Sequence, residues 1–131
     1  MKKLLSLVVL VCILLALGGC EKYTSSYQAI GLVRSNNSHS CEVSFLSLEG
    51  QLVYKLKKSE SGEGDIGFSV SVEEGEVAVY YDIYDVKQEL VRVTAGGSVT
   101  DRGGYIEGGH TVYIIIEAAE GTHGRVSVEL D

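Results

Sequence analysis

Apolar and polar residues alternate along much of the chain after residue 26. The clearest run, 66–72, puts four apolar side chains on one face and small or polar ones on the other, as a half-buried strand does. A second such run covers 77–83. Between the two lies the segment 73–76, whose Gly75 suits a tight turn. We therefore expect two antiparallel strands joined by a hairpin.

Two further runs, 41–48 and 52–57, flank Glu49 and Gly50, and this spacing also predicts a hairpin. The segment 112–118 differs, because its first five residues are apolar on both faces. Such a run is typical of a central strand that is covered on both sides or of a strand that lies at an interface. The last run, 125–130, alternates again and predicts a separate strand.

Weaker strand patterns cover 27–34, 88–94 and 97–106, and pairs of glycines punctuate the second half of the chain. A convincing 3.6-residue apolar period is missing. Short strands at about 10-residue spacing predict an all-β fold, a mostly antiparallel two-sheet β-sandwich (Ig-like or jelly-roll-like) of about 7–9 strands. We expect one domain, 27–131, preceded by a helical signal segment.

The first 19 residues have the pattern of an export signal. Lys2 and Lys3 precede the run 4–17, which is apolar except for Ser6. These 14 residues are too short for a bilayer core, which needs roughly 20 apolar residues, but they fit the apolar region of a signal peptide. We therefore predict a signal segment at 1–19.

The sequence Leu17-Gly18-Gly19-Cys20 that ends this segment resembles the lipobox of bacterial lipoproteins. The resemblance implies cleavage before Cys20, a diacylglyceryl group on its thiol and acylation of the new amino terminus. Residues 20–26 would then form a lipidated tether, with the domain at the extracytoplasmic face of the cell membrane or the outer membrane. An ordinary cleaved signal or a short uncleaved anchor remains the alternative.

The net charge of the full chain is −7, and removal of Lys2 and Lys3 with the signal leaves 9 basic against 18 acidic residues. An acidic chain without a basic stripe excludes nucleic acid as a partner. Of the three cysteines, Cys12 would leave with the predicted signal, and Cys20 would carry the lipid that the resemblance implies. Only Cys41 remains, so an intrachain disulfide is not available.

We predict no metal site and no cofactor. His39, His110 and His123 lack the spacing that places two imidazoles together, and the acidic segment 73–76 lacks the register of a calcium loop. His39 and Cys41 share a strand face, where a histidine could activate the thiol. An inert buried cysteine beside other apolar residues is the favoured interpretation. The sequence contains neither a serine nucleophile elbow nor a phosphate-binding glycine loop, so we predict no catalytic residues.

The tyrosines offer a candidate binding surface. Tyr80, Asp82 and Tyr84 alternate with an inward-facing apolar set at 77–83, which gives an aromatic, acidic, aromatic row on the other face. Exposed rings beside a carboxylate are suited to a glycan or a protein partner. The alternative is that these tyrosines only cover a sheet, since tyrosine is a favourable strand residue.

We hypothesise a non-catalytic binding or accessory module that presents this surface to a protein or glycan at the cell surface. The alternative is a structural subunit of an envelope assembly, which would dock through the strand 112–116 or an open sheet edge. A small envelope enzyme is the least favoured class.

Overall fold

The computed structural model describes residues 23–58, 64–83 and 85–130, so the predicted signal at 1–19 and the predicted lipidation site Cys20 lie outside it. The described residues form eight strands. They are β1 (Ser26–Ile30), β2 (Val33–Asn36), β3 (Ser40–Lys57), β4 (Gly64–Glu74), β5 (Glu76–Ile83), β6 (Val86–Thr94), β7 (Ser98–Ile106) and β8 (Thr111–Glu129). In this part of the chain, no helix has the length and apolarity needed to cross a bilayer.

Two long strands, β3 and β8, run antiparallel to each other and take part in both layers of the fold. Their halves 40–45 and 124–129 lie in sheet I, which has the order β2-β3-β8-β4-β7. Their other halves, 50–57 and 111–118, lie in sheet II, which has the order β1-β3-β8-β5-β6. The prediction of an antiparallel two-sheet β-sandwich is confirmed.

The predicted hairpin at Glu49 and Gly50 is wrong, because both residues lie inside the continuous strand β3. The register against β8 shifts on both sides of Leu48, and these irregularities bend the strand from one sheet into the other. Gly50 has φ 114°, and a Cβ there would lie 2.3 Å from the carbonyl oxygen of Ser26. The glycine therefore permits a close approach of β1 to the bend rather than a turn.

The second predicted hairpin is also wrong. β4 pairs with β7 and β8 in sheet I, whereas β5 pairs with β6 and β8 in sheet II. Gly75, with φ 88°, turns the chain from one sheet to the other, and a Cβ there would lie 2.3 Å from Oγ1 of Thr122. That hydroxyl in turn accepts a hydrogen bond from the backbone N–H of Glu76 at 3.2 Å.

The prediction of a central strand at 112–118 is confirmed, since this half of β8 pairs with β3 on one side and β5 on the other. The run 125–130, expected as a separate strand, continues β8 instead. Its apolar residues Val126, Val128 and Leu130 are buried, as their alternation predicts. The core fills the space between the sheets and consists of side chains from the inward face of nearly every strand.

Candidate functional site

The alternation in β5 decides which of its side chains lie outside the sandwich. Val77, Val79, Tyr81 and Ile83 all belong to the core. Ala78, Tyr80 and Asp82 therefore lie on the opposite face of the strand, on the outer side of sheet II. Tyr84, the third residue of the predicted binding surface, lies outside the described residues.

Three rows of residues cross this outer face through the register of β3, β8, β5 and β6. The rows are Gln51, Glu117, Ala78 and Arg92; Val53, Ile115, Tyr80 and Glu89; and Lys55, Tyr113, Asp82 and Lys87. We call these twelve residues the outer face of sheet II. The first two rows contain the half-buried ring of Tyr80 and the charged side chains of Glu117, Arg92 and Glu89. The third row contains a second half-buried ring, that of Tyr113.

Tyr80 is held between two cations. Nη2 of Arg92 donates a hydrogen bond to the Tyr80 hydroxyl at 2.9 Å, and Nζ of Lys87 lies 4.4 Å from the ring centroid. Burial raises the pKa of Tyr80, and the carboxylates of Glu117 and Glu89 raise it further, while Arg92 acts in the opposite direction. The hydroxyl therefore stays protonated at neutral pH.

Arg92 connects the aromatic ring to two carboxylates. Its Nη1 lies 2.5 Å from Oε1 of Glu76, and its Nε lies 2.8 Å from Oε1 of Glu89. These hydrogen bonds raise the pKa of Arg92, so it remains charged. The small side chain of Ala78 leaves an open depression of about 230 Å³ between Tyr80, Arg92 and Glu117.

Asp82 differs from the exposed carboxylate that the sequence analysis expected, because it is only 3% exposed. The Tyr23 hydroxyl donates a hydrogen bond to its Oδ2. The ring of Tyr23 meets the ring of Tyr113 edge-on, with centroids 5.5 Å apart and planes inclined at 62°. This part of the outer face is thus covered by a residue from the predicted tether.

Residues 23–26, which we expected to be part of a polar spacer, instead belong to the domain. The backbone N–H of Val53 donates to Oγ of Ser25 at 2.9 Å, and Nε2 of Gln51 donates to the carbonyl oxygen of Thr24 at 3.1 Å. These contacts continue the pairing of β1 with β3 upstream of Ser26.

The sequence analysis missed Tyr23 and Tyr113. Alternation within 112–116 puts Tyr113 on the face opposite Val112, Ile114 and Ile116. Its neighbour on that face, Asp82, depends on the pairing with β5, which alternation does not give. Tyr23 gives no local signal, since its partner Asp82 is 59 residues away.

The second group considered for chemistry, Cys41 and His39, forms no catalytic pair. Cys41 is 2% exposed and lies in the core, and burial raises the pKa of its thiol to about 12. Nδ1 of His39 is 2.6 Å from the carbonyl oxygen of Lys57. Among the described residues, histidines, cysteines and acidic residues form no group of three with the geometry of a metal site.

No protein-family model matches the chain, and no curated protein matches it. Among solved structures, a mutant of a carbohydrate-binding module of family 29 is similar, with a TM-score of 0.43 and 17% identity over 81% of this chain and 77% of that one. Another variant of a family 29 module, complexed with mannohexaose, gives a TM-score of 0.42 at 17% identity over 81% and 77% of the two chains. A likeness of this size assigns neither a family nor a ligand to the chain.

Proposed function

We propose that this protein is a non-catalytic binding module, held at the extracytoplasmic face of a bacterial membrane by lipid on Cys20, whose ligand surface is the outer face of sheet II. The observation that carries the proposal is the arrangement around Tyr80. A half-buried ring, a guanidinium and a carboxylate line one open depression on this face. The lipid anchor is supported by the sequence Leu17–Cys20 and the apolar run before it.

The chemistry of the depression favours a glycan of the cell envelope. A sugar offers hydroxyls that donate and accept hydrogen bonds, together with apolar C–H faces. Glu117 supplies acceptors, Arg92 supplies planar donors and Tyr80 supplies an aromatic ring. Because Arg92 is already held by two carboxylates, it is oriented before a ligand arrives, which lowers the entropic cost of binding.

The test is a binding titration of the domain produced without residues 1–19 and with Cys20→Ser. The probes are mannohexaose, cellulohexaose and soluble fragments of the envelope polysaccharide. Tyr80→Ala should weaken binding by about 1–3 kcal/mol, the usual scale for an interface anchor. Tyr105→Ala is the matched control, because Tyr105 is 54% exposed and lies on β7 of the other sheet.

Unchanged affinity of the Tyr80→Ala variant would show that the outer face of sheet II is not the ligand surface. Absence of binding to every probe would exclude a glycan as the ligand. A pull-down from intact cells would then decide whether the partner is a protein. Equal losses in the Tyr80→Ala and Tyr105→Ala variants would show that the effect is not local to sheet II.

A structural role in an envelope assembly is the second candidate. The strand 112–116, first considered as its docking surface, is central and mostly buried. Ile30, Val33 and Leu46 are exposed instead, and they lie where β1, β2 and the bend of β3 meet. If this candidate is correct, Leu46→Glu abolishes crosslinking to a protein partner in cells and leaves glycan binding intact; unchanged crosslinking argues against it.

A further inference from the structure

The outer face of sheet II has a second depression, beside the one at Tyr80. Its volume is about 150 Å³, and it is lined by Tyr23, Thr24, Ser25, Val53, Lys55 and Tyr113. The first three of these residues precede β1, and the other three belong to the outward rows of β3 and β8. The second depression therefore has one wall that exists only while the segment 23–25 is docked on the sheet.

The docking contacts leave the hydroxyls of Thr24 and Ser25 available to a ligand. Thr24 docks through its backbone carbonyl oxygen, which accepts a hydrogen bond from Nε2 of Gln51 at 3.1 Å. Oγ of Ser25 accepts from the backbone N–H of Val53 at 2.9 Å, so its own proton remains for donation. These two hydroxyls can therefore exchange hydrogen bonds with a sugar.

Lys55 adds a charged donor to the second depression. Its Nζ lies 5.9 Å from the ring centroid of Tyr113, and among the described residues no carboxylate lies within ion-pair distance of it. Lys87 occupies a similar position over Tyr80 in the first depression, but it is paired with Glu117 at 3.5 Å. The exposed ammonium of Lys55 is thus the one of the two that can donate to a ligand without losing a carboxylate partner.

The two depressions meet at Ile115, which belongs to the outward row of β8 and yet is fully buried. Its neighbours on this face follow from the register: Tyr80 and Val53 lie opposite it on the adjacent strands, and Tyr113 and Glu117 are two residues away along β8. Two of these neighbours line the first depression and two line the second. Ile115 is therefore the floor between them, and the facing walls are diagonal cross-strand neighbours about 7–8 Å apart.

The centres of the depressions are farther apart than these walls. Ala78 in the first and Val53 in the second are two strands apart across the sheet and two residues apart along it. With strands about 4.8 Å apart and about 3.3 Å per residue, their Cα atoms are separated by about 12 Å. A single sugar ring cannot fill both depressions, whereas a linear oligosaccharide can cross Ile115 and do so.

We propose that the ligand is a linear oligosaccharide segment that occupies both depressions at once, with one sugar at Ala78 and another against Thr24, Ser25 and Lys55. The proposal rests on the glycan ligand of the proposed function, and it adds a second subsite and a minimum ligand length. Because the segment 23–25 forms one wall of that subsite, ligand binding and docking of this segment favour each other.

The test compares short and long ligands on variants of each depression. The domain produced without residues 1–19 and with Cys20→Ser is titrated by chemical shift, which also measures weak binding. The probes are mannobiose and mannohexaose, cellobiose and cellulohexaose, and envelope polysaccharide fragments of two and six sugar units. Tyr80→Ala should weaken the binding of both lengths. Lys55→Gln and Thr24→Ala should each weaken only the six-unit ligand, by about three- to tenfold, the usual range for one hydrogen bond.

Lys57→Gln is the matched control, because Lys57 is an exposed lysine two residues farther along β3 and lines neither depression. It should leave the binding of both lengths unchanged. A longer ligand also offers a single depression more registers, so the selective loss in the variants at 24 and 55 carries the test. In the parent domain, the six-unit ligand should shift the amides of Ser25 and Ala78 together, with one dissociation constant.

The outcomes separate this proposal from the proposed function. If Lys55→Gln and Thr24→Ala bind the six-unit ligand as the parent does, or if Ser25 and Ala78 titrate with different dissociation constants, the second subsite is refuted. The proposed ligand surface then stands, provided that Tyr80→Ala still weakens binding. If Tyr80→Ala has no effect and Lys55→Gln weakens both lengths, the ligand lies in the second depression alone and spanning is refuted. Absence of binding of every probe overturns both proposals.

Discussion

The contact between Tyr23 and Asp82 ties the start of the domain to the outer face of sheet II, and Tyr23→Phe removes only its hydrogen bond. The ring remains, so the edge-on contact with Tyr113 is retained. Asp82 is 3% exposed, and water cannot easily replace the lost donor. Hydrogen bonds to charged groups contribute about 1.5–3 kcal/mol, and because Tyr23 is only partly buried we expect a loss of about 1.5–2 kcal/mol.

The assay is urea unfolding of the soluble domain at pH 7. Tyr27→Phe, on a ring of β1 that packs against the core, is the control and should change the free energy of unfolding by less than about 0.5 kcal/mol. A double-mutant cycle with Asp82→Ala, which removes the acceptor, isolates the pair, and a coupling energy of about 1 kcal/mol or more is expected. A Tyr23→Phe loss no larger than the control, or strict additivity with Asp82→Ala, would refute the docked tether.

The remaining predictions concern cysteines and glycines. Cys20→Ser should leave an unprocessed precursor without lipid label, and normal metabolic labelling of that variant would contradict the anchor. Cys41 should react slowly with a thiol reagent at pH 8 in the native domain and quickly after unfolding. Because its pKa is raised to about 12 from 9.0, its contribution to stability should be lost as the pH rises above about 9. In urea unfolding, Gly75→Ala should destabilise the domain more than Gly96→Ala. Both glycines have positive φ, but only a Cβ at position 75 would collide with Thr122. Similar losses in the two variants would show that the turn at Gly75 adapts to the added methyl group.

The alternation of side chains predicted the strand faces well, whereas the glycines misled the prediction of connections. A period of two is a local property, and it correctly assigned the inward residues of 66–72, 77–83 and 125–130. From sequence alone, Gly50 and Gly75 indicate hairpin turns, because a glycine with positive φ is common to turns and to bends within a strand. Only long-range pairing shows that the chain changes sheets at these residues. For Gly50 it is the pairing of β3 with β8, and for Gly75 it is the pairing of β4 and β5 with different halves of β8.

The candidate site was predictable to a smaller extent. The position of Tyr80 follows from alternation, because its neighbours Val79 and Tyr81 lie in the core. The burial of Asp82 does not follow, since it depends on a residue that enters from the tether. A short polar segment after a signal has the composition of a spacer, and only its tertiary contacts reveal that it packs.

The most direct test of the proposed ligand surface is a chemical-shift titration of the soluble domain with fragments of the envelope polysaccharide. The account predicts that the largest shifts occur at Ala78, Tyr80 and Glu117, around the depression in sheet II, and that Tyr80→Ala moves the titration to higher ligand concentrations by the equivalent of about 1–3 kcal/mol. Shifts centred on Leu46 would contradict the account. The absence of shifts at the highest soluble concentration of the fragments would also contradict it.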